Sequence, residues 1–128
     1  MENPAYVSAI FLAIIFVSIA VFQILLSLGS PFGEYAMGGK YKVLPKKLRF
    51  VSVINAVILL CMGVVILQHK DVISGLGFLP TGILVWAITI FLGLNTIANI
   101  ISRSKKERKV MTPLSGFALV LCLVIIFL

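Results

Sequence analysis

The chain has 128 residues, of which 61% are apolar and only 12% charged, and its mean hydropathy is +1.19. Soluble domains carry about 25% charged residues, so this composition argues against a water-soluble core and makes lipid the expected solvent. The net charge of +7 would suggest nucleic acid in a soluble protein. Here the cations cluster beside apolar runs, where they set orientation and meet anionic headgroups, so no nucleic-acid partner is expected.

In chain order, the first apolar run covers 6–28 and is followed by others at 49–68, 79–102 and 110–128. Each approaches the ~20 residues a helix needs to cross the hydrocarbon layer. Helix is required because backbone groups in lipid must be satisfied within the segment. The first run does not read as a signal peptide: only Glu2 precedes it as a charge, and no clear cleavage site follows. The expected fold is all-α, a single transmembrane domain over 1–128 forming an integral membrane four-helix bundle.

The first connection, 29–48, is long for so small a bundle. It mixes Gly29, Pro31, Gly33, Gly38, Gly39 and Pro45 with Phe32, Tyr35, Met37, Tyr41 and Leu44. A solvated linker has no need of those apolar groups, so the loop is expected to fold back on the helix ends. Gly33 to Gly38 has the spacing of a phosphate loop, but Gly39 and Tyr41 stand where Lys and Ser/Thr are needed, and the match is rejected. The middle connection holds His69, Lys70 and Asp71, with His69 read as a solvated loop residue. The third, 103–109, carries Arg103, Lys105, Lys106, Arg108 and Lys109 around Glu107. Thr112-Pro113 reads as the N-cap and first position of a short last helix.

Lys40, Lys42, Lys46, Lys47 and Arg49 share a side with the cations of 103–109 in an up-down bundle, leaving only Lys70 opposite. Ten of eleven basic residues on one face predict that face to be cytoplasmic and both termini to be extracytoplasmic. Tyr6, Phe78 and Trp86 fit interfacial anchors. Cys61 and Cys122 lie mid-span and read as packing residues; neither a disulfide, a metal site nor any cofactor is expected.

Polar side chains gather near the basic end: Gln23 and Ser27, Ser52 and Asn55, Asn95, Asn99 and Ser102, Thr112 and Ser115. Counting rise per residue, Gln23, Asn55, Asn95 and Ser115 lie at a common depth of roughly 7–11 Å. Two readings stay open: interhelical hydrogen bonds, or a polar-floored pocket at the cytoplasmic mouth. No ionisable residue lies well inside any run, which disfavours a proton-coupled pump and fits a neutral or amphipathic ligand. Arg103 and Arg108 flank Glu107 and suit either an ion pair with it or a phosphate clamp. Glu34 is the expected partner for one of these cations.

The loop GSPFGEYAMGGKYKVLPKKLR together with NIISRSKKERKVMTP resembles a family of small, uncharacterised bacterial four-span membrane proteins. The resemblance rests on Gly29, Pro31, Gly33, Gly38, Gly39, Leu44, Pro45 and Arg49, then Asn99, Ser102, Arg103, Ser104, Glu107, Arg108 and Pro113. It implies the bundle architecture, pairing of the two basic loops and residence in a bacterial plasma membrane. It supplies no reaction.

No catalytic set is apparent in the sequence. The expected role is non-enzymatic, with a partner protein or anionic lipid headgroup bound at the cytoplasmic mouth. The residues expected there are Gln23, Glu34, Gly38, Gly39, Arg49, Asn55, Asn95, Asn99, Arg103, Glu107 and Arg108. The alternative is a transporter or ligand-binding subunit for a neutral or amphipathic small molecule, acting as a homo-oligomer.

Overall fold

A computed structural model describes residues 4–36, 39–70, 72–75 and 77–127. Gly38, one of the expected binding residues, lies outside the described residues, as do Glu2, Met37 and Asp71. The chain forms α1 (Pro4–Ser27), a short 3-10 turn (Gly33–Tyr35), α2 (Lys46–His69), α3 (Thr81–Ile100) and α4 (Lys105–Phe127). All four helices are long and apolar enough to cross a membrane, and the protein is a membrane-spanning four-helix bundle.

Contacts between helix ends make successive helices antiparallel. Ser52 at the start of α2 meets Gln23 near the end of α1. His69 Nδ1 at the end of α2 lies 3.0 Å from Thr81 Oγ1 at the start of α3. Asn99 near the end of α3 reaches Ser115 in α4, while Trp86 and Phe127 stack edge-on at the other end, 6.1 Å between centroids. The helices form a ring in chain order, closed by α1 against α4. Packing is most extensive between α1 and α2 and thinnest between α2 and α3.

Small residues explain that tightest seam. Ala5, Ala9, Ala13 and Ala20 are all buried on α1, and Ala56 and Gly63 lie on the buried face of α2. Between lipid-solvated helices there is little hydrophobic drive, so close backbone approach and dispersion carry the association. Phe16 fills the space opposite Gly63, and the core continues through Leu12, Leu59, Ile66, Val85, Leu92 and Leu121. Large apolar side chains such as Phe11, Val57, Ile90 and Phe117 cover the outside. Helices that are apolar on every face suit a bilayer.

Several boundaries differ from the sequence expectation. Residues 103–109 are not a loop: α4 begins at Lys105, eight residues before Pro113, which stands inside the helix. The cap is Ser104, whose Oγ accepts from Glu107 N at 3.2 Å. Pro113 lacks an N–H and costs the helix one rung, but the core face of α4 is set by packing on α3 and α1. Thr112 Oγ1 caps nothing; it is buried without a hydrogen-bond partner among the described residues. Likewise α2 starts at Lys46, so Lys46, Lys47 and Arg49 sit in its first turn. Cations oppose the helix dipole there, so helix stability is not their purpose. His69 belongs to α2 and ties it to α3 instead of standing in a solvated loop.

Candidate functional site

The loop after α1 does fold back on the bundle. Leu26, Ala36 and Leu44 form a small second core with Phe22 and Leu48 at the basic end. Gly33 N donates to Lys42 O at 2.8 Å where the loop crosses itself, and a Cβ on Gly33 would collide with the Tyr41 carbonyl. Arg49 Nε donates to Leu44 O at 2.7 Å, and its guanidinium lies against Gly29.

The same loop is fastened to the start of α4. Ser104 Oγ donates to Glu34 O at 2.5 Å while accepting from Glu107 N, so one hydroxyl serves loop and helix cap together. Gly39, with φ +73°, packs so closely on Ser104 that any Cβ there would overlap its side chain. Lys106 Nζ is 3.1 Å from Glu34 Oε2 and 5.7 Å from the centroid of the Tyr35 ring. Both charged groups of that pair are substantially exposed, so its energetic worth is at most ~1 kcal/mol.

Beneath this cover, between all four helices, lies a cavity of about 340 Å³. Its polar lining comes from Gln23, Asn55, Asn95, Asn99, Ser102, Glu107 and Ser115, and Tyr35 and Ala36 lie over its outer end. A second cavity of about 270 Å³ shares Ile19, Gln23, Asn55, Asn95 and Ser115 with it and runs deeper, against Phe16, Leu59, Phe91 and Leu92. Together they form a vestibule that is polar at the basic end and apolar towards the middle of the bundle.

Part of the polar belt is spent on interhelical bonds. Ser52 Oγ is 2.5 Å from Gln23 O and 2.6 Å from Gln23 Oε1. One hydroxyl proton serves one acceptor, so both contacts are satisfied when the Gln23 amide is turned to donate from Nε2. Asn99 Nδ2 donates to Ser115 Oγ at 3.0 Å, and Ser115 Oγ donates to Met111 O at 2.8 Å. The rest of the belt is not spent. Asn55 and Asn95 make no side-chain hydrogen bond among the described residues, and both line both cavities.

Glu107, expected at the mouth between Arg103 and Arg108, lies there without either arginine as a partner. It is 7% exposed, in the first turn of α4, and lines the vestibule. Its carboxylate makes neither an ion pair nor a hydrogen bond among the described residues. The expected Arg103–Glu107–Arg108 cluster does not form. Arg108 Nη1 donates to Ser102 O at 2.9 Å, and Arg103 faces a separate outer cleft with Lys40, Lys105, Lys106, Glu34 and Gly39. The buried acid and the exposed cations thus occupy different chambers.

Of the expected residues, Gln23, Asn55, Asn95, Asn99 and Glu107 meet in the vestibule, while Glu34, Gly39 and Arg103 line the outer cleft. Arg49 and Arg108 hold backbone carbonyls at the rim. Sequence reasoning passed over Ser104 and Tyr35 as site residues. The first carried a signal, the Ser-x-x-Glu spacing of a capping box at Ser104–Glu107; nothing local marks the second. No family model, curated protein or solved structure matches this chain.

Proposed function

We propose that the protein is a non-enzymatic, multi-pass plasma-membrane protein that binds a small ligand in the vestibule at its basic end. Orienting ten of its eleven basic residues inward makes that end cytoplasmic. The observation that carries the reading is the cavity of about 340 Å³ walled by amide groups of Asn55 and Asn95 that no other part of the described protein uses. In hydrocarbon, unsatisfied amides cost free energy, and a packing-only role is served by the paired Asn99–Ser115 and Gln23–Ser52 contacts instead. The test is a ligand screen by thermal shift on purified protein, repeated on Asn95→Leu. Hits that stabilise the parent and not the variant support the vestibule; hits indifferent to Asn95→Leu count against it.

A second reading is favoured by the outer cleft, where Lys40, Arg103, Lys105 and Lys106 converge beside Glu34. Anionic headgroups of the inner leaflet suit such a surface. Liposome binding that strengthens with acidic lipid and weakens in an Arg103→Ala/Lys105→Ala double variant would support it. Exposed cations gain less per contact than buried groups, which places this reading second.

A further inference from the structure

Resting on the vestibule reading, we infer that the ligand is an amphipathic organic cation whose ammonium head meets Glu107 and whose apolar tail leaves between α1 and α4.

Glu107 supplies the head site. Its carboxylate, on a residue only 7% exposed and without an ion pair or hydrogen bond among the described residues, is open to a counter-charge from inside the vestibule. The first turn of α4 and the Ser104 cap favour an anion at this position. Neither neighbouring cation pairs with it: Arg108 donates to Ser102 O, and Lys106 is paired with Glu34. Asn95 and Asn55 line the same cavity further in, beyond Ser115, roughly 12 Å or more along α4 from Glu107, so they polarise its inner wall without reaching the same head group.

The tail site is a groove of about 410 Å³ on the outside of the bundle between α1 and α4, walled by apolar residues including Phe22, Leu25 and Val110. It shares Ile19, Tyr35, Met111 and Leu114 with the vestibule, so groove and vestibule adjoin. The route decides the ligand's source. A soluble cation approaches through the field of the basic end, where Lys40, Arg103, Lys105 and Lys106 line a separate cleft. An amphiphile dissolved in the bilayer reaches the groove sideways and avoids that repulsion, whereas a neutral ligand leaves the Glu107 carboxylate without a charged partner.

The experiment uses the full chain in an uncharged detergent, with n-decylammonium, n-decanol and n-butylammonium as probes below their micellar concentrations. Binding is read by thermal shift and calorimetry. Decylammonium is expected to bind at least about tenfold more tightly than decanol, since a charge-assisted bond is lost. Glu107→Gln should remove that preference, and Glu107→Asp should keep part of it, with the unliganded melting temperatures reporting that the variants fold. Butylammonium should bind about tenfold or more weakly than decylammonium for want of a tail. Equal affinity for decylammonium and decanol, or a preference that survives Glu107→Gln, overturns the cation assignment. If Asn95→Leu still abolishes binding in that case, the vestibule stands and only the cation assignment fails. Indifference of every probe to both Asn95→Leu and Glu107→Gln overturns both. Butylammonium binding as tightly as decylammonium overturns the groove and makes soluble amines the source.

Discussion

Single residues at the basic end are tuned for close approach more than for bulk. Gly39 and Gly75 both adopt positive φ, at +73° and +97°. Only Gly39 is also crowded, by Ser104 and the Glu34 carbonyl, whereas a Cβ on Gly75 would meet open space. Gly75→Ala should therefore carry only the left-handed strain of about 1 kcal/mol. Gly39→Ala adds a clash with the loop–helix junction and should cost about 1–3 kcal/mol. Melting midpoints of the two variants in the same detergent check this; equal shifts would mean the junction yields freely. Ser52 shows the same economy, since one small hydroxyl joins α1 to α2 through Gln23 at a position with 0% exposure.

At the level of elements, α4 is defined by how it begins. Ser104 caps it and holds the Glu34 carbonyl, so the helix start and the folded loop depend on one side chain. Ser104→Ala should cost about 0.5–2 kcal/mol through the cap alone. It should also loosen the 29–45 connection, read as faster proteolytic cleavage there than in the parent at equal temperature. A lowered melting point with unchanged cleavage would show that the loop is held by its own core of Leu26, Ala36 and Leu44. Because α4 starts at Lys105 and not at Pro113, Glu107 acquires a helical position facing inward. That shift of boundary turns a charge in a basic run into the one acid that lines the vestibule among the described residues.

Across the whole molecule the two ends do different work. The end opposite the basic loops is packed tightly around Leu12, Ile66, Val85, Cys122 and Ile125, while the basic end is where the helices part around the cavities. With Cys61 and Cys122 changed to Ala, Ser74→Cys should react with a membrane-impermeant maleimide in intact cells. Ser30→Cys should react only after permeabilisation if, as proposed, the basic end faces the cytoplasm. The opposite pattern would reverse the orientation and move the vestibule to the outer face.

Composition and run length were enough to establish the number of helices, because lipid leaves a polar backbone no other spanning solution at this length. The clustering of polar side chains near the basic end was legible too, since rise per residue converts sequence distance into depth. Whether Asn55 and Asn95 were spent on neighbours or left facing a cavity depended on helix rotation and seam width, which small residues such as Ala9 and Gly63 set through packing. The fate of Glu107 depended on where α4 begins. A capping hydroxyl and tertiary contact outweighed the local signal of Thr112-Pro113, and so only the tertiary structure separated the buried acid from the cations that surround it in the sequence.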